Sequence, residues 1–238
     1  MTKKSSGSIF KSITQAVQNK KDLLGILIDP DKFDLSQTQV FLNRIPSSTN
    51  FLLVGGSRVQ NGQTERVVHQ LKANTTLPLI LFPGNVNQIT EEADAILFLS
   101  LLSGRNPEYL ITQQVKSISK LQHSSLEIIP TGYILIDGGI STSVLEVSQT
   151  RAMPQDEVTN IVHTALAGQF SGKQLIYLEA GSGATCPVSA EIISEVKKNI
   201  SIPLIVGGGI KTERQKQAAY RAGADMVVMG NVFERQSL

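Results

Sequence analysis

The sequence has little of what marks disulfide-linked, metal-cluster, membrane-spanning or nucleic-acid-binding proteins. Cys186 is its one cysteine in 238 residues, which excludes an intrachain disulfide and a cysteine-based metal cluster. The formal net charge is +2 and the lysine pairs are scattered, so no nucleic-acid partner is expected. No apolar run approaches membrane-spanning length, and residues 1–8 lack the apolar core of a signal peptide. We therefore expect a soluble cytoplasmic protein, whose contact with membranes would be peripheral and would come from a lipid substrate.

What the chain does have is apolar residues, at 41% of the total, gathered in eight short runs that each end in a turn. We predict strands at 23–28, 51–54, 79–82, 95–99, within 127–136, and at 175–178, 204–206 and 226–229. Helical spacing predicts helices at 8–21, 35–43, 63–73, up to 122, 155–167, 187–199 and 211–222. Continuously apolar strands that alternate with helices indicate a parallel sheet buried on both faces.

Eight such units predict an α/β barrel of the TIM type, with an open doubly wound sheet as the alternative. The count favours the barrel, as do the polar residues at nearly every strand's C-terminal end, where barrel enzymes have their sites. The third connection is unusual, because only about ten mostly polar residues, 85–94, separate strands three and four, and no full helix fits there. No linker interrupts the pattern, so we interpret residues 1–238 as one domain.

Glycine-rich turns follow the last three predicted strands, as Gly181-Ser182-Gly183, Gly207–Gly209 and Gly230-Asn231. Bare backbone N–H groups at such turns bind anions, and barrels commonly bind phosphate after strands seven and eight. One glycine pair would indicate no more than turn chemistry. Three at corresponding places on successive strands favour a phosphate site.

Carboxylates at strand ends are the candidates for acid–base and metal chemistry. Glu179 and Tyr177 lie two residues apart, which puts them on the same side of strand six. Glu179 is the acid–base candidate, with a structural salt bridge inside the barrel as the alternative. Asp29 ends strand one, where a carboxylate can hold Mg²⁺ together with substrate phosphate, although it can equally cap the next helix. Ser57, after the adjacent strand, is a second oxygen donor for that cation.

Other polar residues carry weaker expectations. Arg58 and Arg105 are candidates to face a second anion, though a lone surface arginine is usually just solvated. The three histidines fall within or at the ends of helical patterns, so no histidine catalysis or histidine metal site is expected; they are His69, His123 and His163. Cys186, just past the phosphate turn, is interpreted as incidental.

Together these motifs resemble the geranylgeranylglyceryl phosphate synthase family and its bacterial members over about residues 20–234. The resemblance is carried by the segments 28–32, 54–57, 82–84, 177–183, 206–210 and 230–231, of which Tyr-Leu-Glu-Ala-Gly-Ser-Gly at 177–183 is the most specific. Residues 100–109 are similar to the family's second, longer group. The shorter bacterial group has a lysine two residues before the metal-binding aspartate, where this chain has Leu27. The phosphate charge would then fall to backbone amides and other cations.

The resemblance implies a modified TIM (β/α)8 barrel in which a loop or strand replaces the third helix. It also implies a Mg²⁺-dependent enzyme in which sn-glycerol 1-phosphate attacks C1 of a prenyl diphosphate, giving an ether and releasing diphosphate. Asp29 and Ser57 would bind the Mg²⁺, while Glu179 and Tyr177 would be catalytic. Glycerol phosphate would be held by Tyr177, Leu178, Glu179, Ala180, Gly181, Ser182, Gly183, Gly208, Gly209, Gly230 and Asn231. The family further suggests a C20 prenyl chain and a homo-oligomer.

A long prenyl tail needs an apolar groove, and the short third connection predicts where it lies. A crossover between parallel strands normally needs a dozen or more residues, usually a helix. The flank near 85–94 and the segment 100–109 is therefore expected to receive the tail, with Tyr109 and Phe98 as the nearest aromatic residues. The alternatives are another phosphate-binding barrel enzyme acting on a phosphosugar, and a non-catalytic phosphate-ligand binder. Demand for Mg²⁺ and release of diphosphate would separate the prenyltransferase from both.

Overall fold

The computed structural model describes residues 8–230 and Phe233, and in that range the chain closes into an eight-stranded parallel barrel. The strands are β1 Leu23–Ile28, β2 Thr49–Val54, β3 Leu79–Leu81, β4 Ala95–Leu101, β5 Glu127–Leu135, β6 Leu175–Glu179, β7 Leu204–Gly207 and β8 Met226–Met229. Each strand pairs with the next along the chain, and β8 pairs with β1 from Leu23↔Met226 onward. The barrel prediction is therefore confirmed over the open sheet.

Alternation along each strand separates an inner core from an outer one. On β6, Leu175 and Tyr177 belong to the buried cluster inside the barrel, whereas Ile176 and Leu178 pack outward with the helices. Ile9 and Ile13 of the first helix join the inner cluster. That helix is anchored because the Ile9 and Phe10 N–H groups donate to the Glu127 carboxylate at 2.7 and 2.8 Å. Glu127 begins β5, so the N-terminal end of the barrel is closed and the opposite end is left for a site.

The helices are α1 Ser8–Gln18, α2 Thr38–Arg44, α3 Gln63–Asn74, α4 Gln113–Leu121, α5 Ser143–Ser148, α6 Val158–Phe170, α7 Ala190–Asn199 and α8 Glu213–Ala222. A π-helical turn, Glu108–Thr112, leads into α4. Helix α5 lies in a loop for which no helix is predicted. Helix α7 begins at Ala190 rather than 187, because the Ser189 side chain accepts the Ile192 N–H at 3.3 Å and caps the helix there.

The connection from β3 to β4 contains a 3₁₀ turn, Val86–Gln88, and no α-helix within the described residues. Asn85 caps this turn through its side chain, which accepts the Asn87 N–H at 2.8 Å. The Val86 N–H donates to Gln113 Oε1 at 2.9 Å, so the turn is fastened to the first residue of α4. Across residues 8–230, no helix is both long and apolar enough to cross a bilayer.

Candidate active site

A cavity of about 540 Å³ opens at the C-terminal ends of the strands, a volume in the range of small-molecule sites. It brings together four of the side chains predicted from sequence, namely Asp29, Ser57, Glu179 and Ser182. The same cavity continues along the flank beside the short third connection. There its wall is mostly apolar and aromatic, made by Val86, Ile89, Ile96, Phe98, Leu99 and Tyr109. One space therefore joins a polar mouth to an apolar groove.

Glu179 is the last residue of β6 and is buried at the base of the cavity, with 5% of its surface exposed. The Gly181 N–H donates to its Oε1 at 2.8 Å. Gly208 packs against the same oxygen so closely that a Cβ there would lie 2.3 Å from it, which explains why only glycine fits at this position. Burial raises the pKa of Glu179 to about 7, and the Gly181 N–H and the nearby Tyr177 hydroxyl oppose that rise. The carboxyl group can therefore exchange a proton near neutral pH.

This buried carboxyl group should make stability depend on pH. Because the folded pKa of about 7 exceeds the ordinary value of 4.5, the folded state holds its proton more tightly than the unfolded state. The free energy of unfolding should then fall by about 3 kcal/mol as pH rises from about 4.5 past 7. Glu179→Gln keeps an acceptor for Gly181 and should remove this slope, leaving the variant more stable than wild type at pH 8. Urea unfolding at pH 5 and pH 8 measures this change in the free energy of unfolding. An equal change with pH in wild type and Glu179→Gln would contradict the prediction.

Tyr177 lies deeper in the barrel than Glu179 and does not line the cavity. Its ring stacks on Phe82 at a centroid distance of 5.0 Å and lies 5.5 Å from the Tyr133 ring. Burial raises its pKa well above the usual value, and the Glu179 charge adds to that rise. The hydroxyl and Glu179 Oε2 both face Gly207, where a Cβ would lie 2.3 and 2.9 Å from them.

The Tyr177 hydroxyl is near enough to Glu179 to favour the ionised carboxylate. Within the described residues, however, it meets no partner at hydrogen-bonding geometry, so we regard the two groups as close neighbours rather than as a formed hydrogen bond. Phe82 and Tyr133 were missed by the sequence reasoning, although both line the cavity. The Phe-Pro-Gly motif at 82–84 was the available signal for Phe82.

The glycine turns after β6 and β7 lie against each other. Gly208 has φ +79°, and a Cβ there would lie 2.5 and 2.6 Å from the backbone nitrogens of Gly181 and Ala180. Gly181 has φ +97° and packs on Thr142 with the same closeness. Such positive φ values favour glycine and let backbone N–H groups approach an anion.

The remaining residues of the predicted phosphate site contribute differently. Leu178 points its side chain into the outer core, so its part in any ligand contact would be through the backbone. Ala180 is buried, and Gly183 and Gly209 take positive φ of +80° and +71°. Gly230 directly follows β8 and lies beside the Leu27 carbonyl. Asn231 lies outside the described residues.

Asp29 stands at the cavity wall with its side chain 20% exposed. Its Oδ2 pairs with Lys32 Nζ at 2.5 Å, and its Oδ1 accepts the Asp31 N–H at 3.2 Å. Gly56 packs on the same carboxylate, since a Cβ there would lie 3.2 Å from Asp29 Oδ1. Ser57 follows directly, so the loop after β2 approaches the metal-binding candidate at the end of β1.

The donor set suits one cation type better than others. In the part of the chain that the structure describes, no three His, Cys, Asp or Glu side chains form an all-protein metal site. Mg²⁺ typically takes one or two carboxylates and completes its shell with substrate phosphate and water, which one aspartate and one serine at a cavity wall would fit. Lys32 was not predicted as a site residue, yet it brings a positive charge to the same wall.

The residues with weaker expectations make contacts outside the polar mouth or are exposed. Arg58 lies at the cavity rim and pairs with Glu146 at 3.2 Å, both side chains being exposed. Arg105 donates to the carbonyls of its own loop, Leu102 and Gly104, at 3.1 and 2.8 Å. The three histidines are exposed, as predicted for outer-ring residues, and His69 contacts Glu92 at 3.0 Å. Cys186 is exposed.

Known proteins resemble this chain over nearly its whole length. The model of the PcrB family matches residues 16–237. The geranylgeranylglyceryl phosphate synthase of Zunongwangia profunda is 53% identical over 95% of this chain and 97% of its own. That of Flavobacterium johnsoniae is 47% identical over 100% and 98%. The crystal structure of (S)-3-O-geranylgeranylglyceryl phosphate synthase from Thermoplasma acidophilum in complex with sn-glycerol-1-phosphate superposes with a TM-score of 0.88, at 33% identity over 96% of this chain and 92% of that one.

Proposed function

This chain belongs to the PcrB family, and on that premise we propose that it joins sn-glycerol 1-phosphate to geranylgeranyl diphosphate, forming an ether and releasing diphosphate. It is a prenyltransferase of ether-lipid biosynthesis, and its relatives at 53% and 47% identity are named geranylgeranylglyceryl phosphate synthase. The observation that carries the reaction to these residues is the single cavity that joins a polar mouth to an apolar groove. One such space can hold both reacting ends and a hydrocarbon tail.

Glycerol 1-phosphate would bind at the glycine turns after β6, β7 and β8. Its phosphate would lie against the backbone N–H groups of Gly181 to Gly183, Gly208, Gly209 and Gly230. Its hydroxyl groups would then face Glu179, which accepts a hydrogen bond from the attacking hydroxyl and takes up its proton. A pKa of about 7 suits this exchange. Tyr177 does not line the cavity, so it would act from beneath, as a close neighbour whose hydroxyl favours the ionised form of Glu179.

Asp29 and Ser57 would hold Mg²⁺ at the opposite side of the mouth. When bound, Mg²⁺ neutralises the charge that develops on the departing diphosphate. Lys32, paired with Asp29, adds a second positive charge on that wall. The allylic carbon needs a positioned nucleophile more than a strong base, and substrates bound in this way would face each other across the cavity.

The prenyl tail would leave the mouth along the flank where a third crossover helix would otherwise lie. We propose that the 3₁₀ turn Val86–Gln88 stands in place of that helix. Apolar surface left in water costs about 25 cal/mol per Å², and the tail would cover the partly exposed surfaces of Ile89 and Phe98. Tyr109, half-buried at the entrance to α4, lies on the same wall.

The proposed reaction is tested by incubating the protein with sn-glycerol 1-phosphate and prenyl diphosphates of several lengths, with and without Mg²⁺. We expect a product with the mass of the C20 ether, equimolar diphosphate, and loss of both on chelation. A phosphosugar enzyme would release no diphosphate from these substrates. Absence of the ether product at every chain length would contradict the proposal.

Tyr109→Ala tests the tail groove. We expect the variant to change the preference between C20 and longer diphosphates and to alter the KM for the prenyl substrate, because it enlarges the groove wall. The KM for glycerol 1-phosphate should stay within about twofold of wild type, because the groove would contact only the prenyl tail.

Tyr220→Ala is the control for this experiment. It removes a tyrosine whose hydroxyl donates to the Leu23 carbonyl at 2.7 Å, at the closed end of the barrel. Unchanged chain-length preference and prenyl KM in Tyr109→Ala would exclude that residue from the groove.

Self-association stays a prediction of the family resemblance, and peripheral membrane contact stays a prediction of the lipid substrate. The exposed apolar surface that either would use includes Ile111, Val115 and Ile118 along the π-helical turn and α4. Light scattering and sedimentation with vesicles would measure the two separately.

A further inference from the structure

Gln88 lies in the short third connection and is buried, with 1% of its surface exposed. Its side chain is hydrogen-bonded to another loop of the barrel mouth. It belongs to the 3₁₀ turn Val86–Gln88, but it points away from the tail groove and does not line the cavity. Its Oε1 accepts the Gly56 N–H at 3.1 Å, and its Nε2 donates to the Gly56 carbonyl at 2.7 Å. One side-chain amide therefore pairs with both polar groups of a single residue.

Gly56, the residue to which Gln88 is hydrogen-bonded, lies beside the candidate metal ligands. Gly56 packs on Asp29 Oδ1 and directly precedes Ser57. The backbone there has little freedom, because a Cβ on Gly84 would lie 2.4 Å from the Gly56 carbonyl and 3.1 Å from Gln88 Nε2. The loops after β2 and β3 are thus pressed together with the Gln88 amide between them.

The same short segment also forms part of the tail groove. Val86 and Ile89, on either side of Gln88, line the cavity. Val86 is fastened to α4 through Gln113 at 2.9 Å and through Lys120, whose Nζ donates to the Val86 carbonyl at 3.1 Å. The turn is therefore held from α4 on one side and holds the Gly56 loop on the other.

From this arrangement we propose that Gln88 is a positioning residue for diphosphate binding. Resting on the proposed function, it fixes the Gly56–Ser57 backbone against Asp29 so that the loop meets Mg²⁺ and diphosphate in one geometry. It also links that loop to the wall that contacts the prenyl tail. Glycerol 1-phosphate, which meets the turns on the far side of the mouth, does not depend on it.

The test compares Gln88→Met, which conserves volume and removes both hydrogen bonds, with wild type. Residues that orient metal ligands typically cost 10–100-fold in affinity when changed. We expect inorganic diphosphate in the presence of Mg²⁺ to bind at least about tenfold more weakly by calorimetry, and the KM for geranylgeranyl diphosphate to rise with it. The KM for glycerol 1-phosphate should change less than about twofold, as for a substrate whose contacts are untouched.

Gln169→Met is the matched control. Gln169 Oε1 likewise accepts a loop N–H, that of Ser201 at 2.7 Å, and that loop precedes β7 at the closed end of the barrel. Gln88→Asn, which keeps the amide but shortens its reach, serves as a second variant and should weaken diphosphate binding in the same direction. It decides the question if Gln88→Met does not fold.

A structural role alone would lower the melting temperature of Gln88→Met and Gln169→Met alike and leave diphosphate affinity unchanged. That result would overturn the inference, as would an equal rise in the KM of both substrates. Failure of the proposed function is a separate outcome, because wild type would then form no ether product. The binding of inorganic diphosphate would still report on Gln88.

Discussion

Asp29→Asn is expected to lose nearly all turnover while the barrel stays folded. The side chain lies at the cavity wall, one-fifth exposed, so its replacement leaves no cavity and strands no buried charge. It does remove the negative charge that Asp29 would supply to the proposed Mg²⁺ site. Since even residues that merely orient metal ligands cost 10–100-fold, losing a ligand should exceed about 100-fold in kcat/KM.

The measurement is the rate of ether formation against Mg²⁺ concentration, with circular dichroism to show that the fold is kept. Asp31→Asn is the matched control from the same loop. The Asp31 carboxylate already accepts the Gln60 N–H with both oxygens, at 3.0 and 3.2 Å, so we expect a much smaller change in Mg²⁺ dependence. An unchanged Mg²⁺ dependence in Asp29→Asn would remove Asp29 from the metal site.

Glu179→Gln is expected to lower turnover by about 10²-fold or more, the usual range for a positioned base. The glutamine keeps the size of the side chain and an acceptor for the Gly181 N–H, but it cannot take up a proton. Wild-type activity should rise with pH to a plateau above about 7, following the pKa of the buried carboxyl group. The variant should lose this rise.

Two observations separate a catalytic loss from a folding defect. The variant should be more stable than wild type at pH 8, because it lacks the buried carboxyl group whose pKa is raised, so low activity would accompany raised stability. Glu146→Gln removes an exposed carboxylate that pairs with Arg58 and does not line the cavity, so it should retain near-normal turnover. Near-normal turnover of Glu179→Gln at saturating glycerol 1-phosphate would exclude the proposed role.

Tyr177 illustrates how far a local pattern reaches. The period of two along β6 correctly predicted that Tyr177 and Glu179 share the inner face, because successive side chains alternate across a strand. The pattern carries no information on depth within a barrel. Tyr177 lies one layer below Glu179, against Phe82 and Tyr133. Those rings come from the residue after β3 and from β5, both far from β6 in the sequence.

Gln88 shows a different limit. A glutamine in a mostly polar ten-residue connection is expected to be a solvated loop residue. No spacing or motif marks Gln88 as different from its polar neighbours. Its burial arises because the loop after β2 meets it, 32 residues away along the chain. Helix α5 was missed for a related reason, since six residues in a polar segment give too little periodicity to detect.

The strands, the glycine turns and the short third connection could all be located from local sequence. Apolar runs, glycine conformations and chain lengths act on the backbone within a few residues of themselves, so they leave a readable pattern. The closed barrel decided three other features. It determines which polar groups reach the cavity, which carboxyl group has its pKa raised, and which side chain is hydrogen-bonded to the Gly56 loop. Burial and hydrogen bonding there depend on strands and loops that are brought together only when β8 pairs with β1.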